Sequence, residues 1–284
     1  MTKTQILKKI GQLPFGSFLA FGVKQAWAAL FGVFMLVALV VTAYVKLPFL
    51  ARYDWLFIFA IAIQLFMLFA KLEKPREVIT IVLFHLVGLG MELFKTSDQI
   101  ASWSYPGYAF FAVGNVPLFS GFMYAAVGSY IARSWRVLEL KFTHYPNRIL
   151  TILLAIAIYV NFFSHHFFYD IRYVLFLAII ILYRRVWVQY TINKKVRRMP
   201  LLVGFVCIAF FIWLAENIAT YVHVWIYPSQ LVAWQPVGIQ KMGSWLLLMV
   251  ISFIMVDMLH YLRLRTLARP RIKIIEKLKK ALLL

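Results

Sequence analysis

Apolar residues in this chain do not alternate with polar ones. They come in eight runs of about twenty, each bounded by basic or turn-forming residues. The runs cover 26–47, 54–71, 77–95, 116–135, 149–168, 171–189, 200–222 and 241–262. A bilayer-spanning helix needs about 20 mostly apolar residues, so the pattern predicts eight transmembrane helices in an all-α polytopic bundle. Arg184 and Arg185 interrupt the sixth run, and the fifth and sixth together also read as one hairpin with a very short turn. The start, MTKTQILKKIGQLPFG, is basic and amphipathic without a small-residue cleavage site, so no signal peptide is expected.

Lysine and arginine set the orientation of such a bundle. Of the 30 in the chain, 25 fall on the N-terminal segment, the even-numbered connections and the tail. Only Lys46, Arg52, Lys95, Arg172 and Lys241 fall on the other side. This predicts a multi-pass protein of the cell (inner) membrane with both termini cytoplasmic. At 63% hydrophobic and 14% charged, the chain is no water-soluble enzyme. The net charge of +20 is then accounted for by topology and by anionic headgroups at the cytoplasmic face, about 1 kcal/mol per residue. No nucleic-acid partner is expected. Residues 263–284 place lysines between apolar residues at helical spacing, which predicts a tail lying along the inner leaflet. The lone Cys207 lies inside an apolar run, which excludes a disulfide framework or a thiolate metal site.

The chain repeats itself. Trp103-Ser104-Tyr105-Pro106 and Trp225-Ile226-Tyr227-Pro228 are offset by 122 residues, as are Gly121 and Gly243. Composition predicts about 0.02 chance occurrences of Trp-x-Tyr-Pro in such a chain, so a second copy at the equivalent place points to duplication. The two copies lie four runs apart and point the same way, which predicts a tandem repeat of four-helix units, 26–135 and 149–262, flanked by a basic segment 1–25 and the tail 263–284. Each Trp-x-Tyr-Pro is expected on the outer side, as an interfacial aromatic anchor or as a cap over a cavity.

Polar residues inside lipid are the informative ones. Glu92 and Glu216 each precede a Trp-x-Tyr-Pro and fall about 22–25 Å from the inner face at 1.5 Å per residue. A carboxylate near mid-bilayer costs about 2.5–3.5 kcal/mol, so two at matched depth suggest one shared polar pocket. His85 lies two turns below Glu92 on the same helical face. Asn161-Phe-Phe-Ser-His165-His166-Phe-Phe-Tyr-Asp170 is the densest polar cluster and falls on the same side as both glutamates. Glu92, Glu216, His165, His166 and Asp170 are therefore the candidate acid–base residues. His85, Trp103, Tyr105, Asn161, Asn217, Trp225 and Tyr227 are the candidates to line the substrate. No H-E-x-x-H, Walker, Rossmann or nucleophile-elbow motif occurs, so neither metal nor cofactor is expected. Asp257, His260 and Arg263, near the inner end of the eighth run, are expected to pair locally or to snorkel.

Several stretches resemble the YoaT-like bacterial membrane proteins, domain of unknown function 817. They are Phe84-His85-Leu86 with Glu92-Leu-Phe-Lys95, Ser102-Trp-Ser-Tyr-Pro106, Val116-Pro-Leu with Ser120-Gly-Phe-Met-Tyr124, Asn161-Phe-Phe-Ser-His165-His166 through Asp170-Ile-Arg172, Arg198-Met-Pro-Leu201 and Trp213-Leu-Ala-Glu-Asn-Ile-Ala-Thr220. The family brings no activity with it. A more distant likeness is to carotenoid hydratases and heterodimer-type lycopene cyclases, in which a helix ending in glutamate leads through a Trp/Tyr-rich loop into Val-Pro-Leu. It maps onto Glu92, Trp103, Tyr105 and Pro117, but Leu118 and Phe119 stand where the cyclases carry two glutamates. The likeness implies acid chemistry on polyene lipids. The expectation is thus an enzyme for hydration, cyclisation or isomerisation of an isoprenoid lipid, with a small-molecule permease and a non-catalytic membrane partner protein as the alternatives.

Overall fold

The computed structural model describes residues 16–282, with the side chains of 75, 76 and 263 onward excepted. The first fifteen residues of the basic N-terminal segment and the amphipathic face expected of the tail lie outside the described residues. Helix α1 (Gly16–Ala28) meets α2 (Leu30–Tyr44) at 72°. There follow α3 (Arg52–Phe69), α4 (Pro75–Lys95), α5 (Phe119–Val137), α6 (Arg148–Ser164), α7 (Arg172–Tyr183), α8 (Leu201–Tyr221) and α9 (Lys241–Leu282). One helix, α2 through α9, falls in each of the eight apolar runs.

By length and apolarity, α3, α4, α8 and the Lys241–Leu262 part of α9 can each cross a membrane, and the bent pair α1–α2 makes a fifth candidate. Helices α6 and α7 are apolar but shorter; the 12 residues of α7 reach only about 18 Å. Several apolar helices of this kind are compatible with a multi-pass membrane protein.

The expected all-α bundle is amended to a mostly helical one. Strands β3 (Lys141–Thr143), β4 (Trp187–Ile192) and β5 (Lys195–Pro200) form an antiparallel sheet at one end, after a two-residue ladder between β1 (Ala112–Val113) and β2 (Val116–Pro117). Strand β4 begins inside the sixth apolar run, which therefore stops being helical at Tyr183. The β4–β5 turn is Asn193-Lys194 with φ of 48° and 65°. Two consecutive left-handed residues match the twist of a two-residue hairpin, and asparagine tolerates that conformation well. The β-branched Val188, Thr191 and Ile192 before that turn are the sheet signal in the sequence.

Side-chain caps explain several boundaries. Asn147 accepts from the Ile149 N–H at 2.8 Å to start α6, and Glu77 accepts from the Lys74 N–H at 2.9 Å across Pro75 to start α4. Close packing of α4 on α5 needs glycine, because a Cβ at Gly128 would come within 2.8 Å of the Phe84 ring. Arg133, fully buried on α5, donates to the carbonyls of Trp27, Ala28 and Leu72 at 2.6–3.1 Å. It ties the end of α1 and the α3–α4 turn to the bundle, a structural role that its expected part in topology does not reveal. At the opposite end Arg52 joins α2 to α8 by donating to Leu39 O at 2.9 Å and Val222 O at 2.8 Å.

Candidate functional site

Glu92 lies in the last turn of α4, where Thr96 caps the helix and returns its hydroxyl to Glu92 O at 2.9 Å. Its carboxyl is buried and accepts three hydrogen bonds. Trp103 Nε1 donates to Oε2 at 2.9 Å, Tyr105 OH to Oε2 at 2.8 Å and Tyr124 OH to Oε1 at 2.8 Å. Trp103 and Tyr105 come from the adjoining Trp-x-Tyr-Pro loop, and Tyr124 from α5. The Tyr124 ring lies over Gly88, where any Cβ would collide with it. Glycine on α4 thus sets the distance at which the Tyr124 hydroxyl reaches Glu92.

Glu216, buried in the last turns of α8, is built on the same plan. Tyr227 OH from its own Trp-x-Tyr-Pro loop donates to Oε1 at 2.5 Å, and Trp245 Nε1 from α9 donates to Oε2 at 2.6 Å. The two loops meet. Ser104 and Ile226 exchange both backbone hydrogen bonds at 3.0 Å as an antiparallel bridge, and the Trp103 and Tyr227 rings make edge contact at 6.2 Å. Hydrogen bonds thus join Tyr124, Glu92 and Trp103 on one side and Tyr227, Glu216 and Trp245 on the other, and the Trp103–Tyr227 ring contact links the two sets. Both carboxyls are enclosed by aromatic donors, and a cavity of about 60 Å³ lies at the sheet end, between α1, α5, α8, α9 and the sheet. Burial and the neighbouring carboxylates push the Tyr105 and Tyr227 hydroxyls well above the usual phenol range, so both remain donors.

The remaining expected residues divide into two groups. His165, His166, Asn161 and Asp170 assemble one turn beyond Glu92, around Lys95. Lys95 Nζ lies 2.6 Å from His166 Nε2 and 3.4 Å from His165 Nε2, and His165 Nδ1 lies 2.7 Å from Asn161 O. Asp170 is held by Arg172 Nε at 2.5 Å, by the Arg172 N–H at 2.9 Å and by Asn161 Nδ2 at 3.3 Å. Burial opposes ionisation of Asp170, but those hydrogen bonds outweigh it and hold the carboxyl below its usual range.

The other group stands apart from the carboxyls. His85 packs against Gly121 and, at 4.6 Å between centroids, on Phe122, with its buried Nδ1 making no hydrogen bond. Asn217 spends its side chain on loop structure, accepting from Val237 N at 2.8 Å and donating to Trp213 O at 2.9 Å. Trp225 packs in the apolar cluster around Tyr53 and Phe119. Asp257 receives Arg148 Nε at 3.3 Å near the sheet end, a partner that the local Asp257–His260–Arg263 reading does not include.

Tyr124, Trp245, Lys95 and Lys241 belong to the site but are not singled out by the apolar pattern. An aromatic residue in an apolar run looks lipid-facing, and a lone lysine at a run's end looks topological. The signal that finds the first two is the repeat: each lies two or three residues after a glycine of the matched pair Gly121 and Gly243. Among the described residues no group of three metal-ligating side chains could hold an ion.

The family profile of a protein of unknown function, DUF817, matches residues 17–253. The uncharacterized protein YoaT of Bacillus subtilis (strain 168) is 45% identical over 243 residues, covering 86% of this chain and 91% of that protein. No solved structure matches. Neither comparison ties the chain to carotenoid hydratases or cyclases. On the extent of the profile match and the identity to YoaT, with the motifs around both glutamates inside the matched region, the chain belongs to the DUF817 family.

Proposed function

We propose that this is a multi-pass protein of the bacterial inner membrane whose two glutamate centres carry out acid–base chemistry on an isoprenoid or polyene lipid. Eight spans, α2 to α9, form two parallel four-helix repeats with both termini cytoplasmic. The charge distribution supports the orientation. The packing supports the repeat, since the contacts of α2 with α3 and α5, and of α4 with α5, correspond to those of α6 with α7 and α9, and of α8 with α9. The Ser104–Ile226 bridge supports it further. The two residues are 122 apart, the repeat offset itself, and an antiparallel pair of equivalent residues has local two-fold symmetry.

One observation carries the chemistry: each buried carboxyl accepts an O–H···O hydrogen bond from a tyrosine of its own loop, at 2.8 Å for Glu92 and 2.5 Å for Glu216. In its protonated form such a carboxyl can give its proton to an alkene, and the half-buried Trp103, Tyr105 and Tyr227 stand beside the two carboxyls. Protonation of an alkene gives a carbocation, which aromatic faces stabilise. Glu→Gln keeps the shape and removes the proton, so it isolates the acid–base role. Lipid profiling by mass spectrometry of cells with the gene, without it, and with Glu92→Gln tests the proposal. A prenyl or polyene lipid that changes with the gene and reverts with the variant supports it.

The alternative of a permease draws on the same Ser104–Ile226 bridge, which would close the outer end between the two halves. An unchanged lipidome with altered uptake of one solute would select that reading. Reporters fused at Lys194 and Ser229 test the topology, with cytoplasmic and external readings expected in that order; a cytoplasmic reading at Ser229 breaks the eight-span arrangement.

A further inference from the structure

The positive-inside bias leaves only five basic residues for the loop end of the bundle, and three of them come within electrostatic reach of one another. Lys95 ends α4, Arg172 begins α7 and Lys241 begins α9. Lys95 is 5% exposed, and its ammonium is held by two imidazoles. His165 places its Nδ1 on the Asn161 carbonyl, which fixes the proton there and leaves Nε2 as a bare acceptor. Neutral acceptors solvate the ammonium without cancelling its charge.

Lys241 Nζ lies over the Tyr227 ring at 4.2 Å and the Trp103 ring at 5.8 Å. Among the described residues neither lysine makes an ion pair. Asp170, the one acid in the cluster outside the two glutamate centres, is already taken by Arg172 and Asn161. Lys95 is thus a buried cation without an acidic partner, which is costly. With Lys241 and the Asp170-paired Arg172 close by, the three cations are faced, among the described residues, only by Asp170 and, from the second centre, Glu216, so the cluster has room for an anion from outside the chain.

We propose that Lys95, Lys241 and Arg172 form a binding site for the phosphate of an anionic lipid headgroup, with the Trp103 and Tyr227 rings as its floor. Two ammonium groups and a guanidinium match the several oxygens of a phosphate better than the two of a carboxylate. A lipid source is favoured over free phosphate by the residues that follow the two histidines. Phe167, Phe168 and Tyr169 are 64%, 77% and 95% exposed, an aromatic belt of the kind that settles at headgroup depth. The site goes beyond the acid–base reading of the glutamates and does not depend on it, because binding is measured without turnover.

The test uses the full-length protein in nanodiscs of phosphatidylcholine, alone or mixed with phosphatidylglycerol, with retained lipid counted by native mass spectrometry and thermal midpoints recorded in parallel. Wild type is expected to retain phosphatidylglycerol and gain stability from it. Lys95→Met/Lys241→Met loses both effects, while Lys194→Gln/Lys195→Gln, which removes charges from the sheet end, keeps both. Equal retention by wild type and the Lys95/Lys241 variant overturns the site. Inorganic phosphate that stabilises the protein in phosphatidylcholine as much as phosphatidylglycerol does overturns the lipid assignment and leaves a soluble anion. If the double variant does not fold, Lys241→Gln alone must weaken phosphatidylglycerol retention about tenfold, as loss of one charge-assisted contact requires; unchanged retention again overturns the proposal.

Discussion

Glu92 and Glu216 occupy matched places in the two halves and are met by different surroundings. Glu92 accepts from three neutral donors, Trp103, Tyr105 and Tyr124, which cover both of its oxygens. Glu216 accepts from two, Tyr227 and Trp245, and has the Lys241 ammonium within electrostatic reach. The donors have also changed places in kind: the next helix supplies a tyrosine to the first centre and a tryptophan to the second. The two centres share a plan of one glutamate, one loop tyrosine and one aromatic from the following helix, as the proposed duplication requires. The plan differs in charge: the first carboxyl accepts from neutral groups only, and the second lies near a cation. The difference teaches that the centres are not interchangeable, and that Tyr227 is the more exposed point of failure.

The largest expected effect is on lipid turnover. Glu92→Gln and Glu216→Gln should each lower it by about 10²–10⁴-fold if a positioned carboxyl moves the proton. Product formation by mass spectrometry in reconstituted vesicles measures it. Loss in one variant with full activity in the other would show that only one centre reacts and that the second is architectural.

Stability gives a sharper test, because it needs no substrate. Tyr227→Phe leaves Glu216 with Trp245 as its sole hydrogen-bond donor, whereas Tyr105→Phe leaves Glu92 with two. A hydrogen bond to a charged group contributes about 1.5–3 kcal/mol. Tyr227→Phe should therefore cost about 2–3 kcal/mol and Tyr105→Phe about 1–2 kcal/mol, by unfolding in mild detergent. Equal costs, or the reverse order, would break the comparison. Gly88→Ala acts on the first centre alone, by pushing the Tyr124 ring off α4; overpacking of this kind costs about 1–3 kcal/mol, and Glu216 should not feel it.

Much of this arrangement was legible in the sequence, for reasons that specific residues make clear. Glu92, Glu216 and the two Trp-x-Tyr-Pro loops stand out because acids are expensive in lipid and because the pattern occurs twice. The positions of α2 to α9 follow the apolar runs, since a hydrophobic stretch of that length has few other places to go. What the pattern cannot show is partnership. Arg133 has the same letter whether it faces headgroups or is buried on three carbonyls. Lys95 and Lys241 read as isolated charges until three helix ends bring them together. The start of strand β4 is masked because Val186 and Trp187 continue an apolar run whose backbone has already left the helix at Tyr183, and the β-branched residues that mark the strand come only after them.

The smallest expected effect separates the two functional readings. Ser104 and Ile226 form a hydrogen-bonded antiparallel pair, in which Cα atoms lie about 5.5 Å apart, a spacing that a disulfide can bridge. Ser104→Cys/Ile226→Cys, made with Cys207→Ser to remove the exposed native thiol, should cross-link under mild oxidation, detected as a mobility shift that a reductant reverses. An enzyme that works on a lipid entering from the side, with its loops held together throughout, should lose less than about twofold of its turnover, under 0.5 kcal/mol in the barrier. A permease that must part these loops to open its outer side should stop altogether. The same covalent bond is thus almost silent in one mechanism and fatal in the other. Failure to form it at all would mean that the two halves do not meet at equivalent residues, and the repeat would lose its axis.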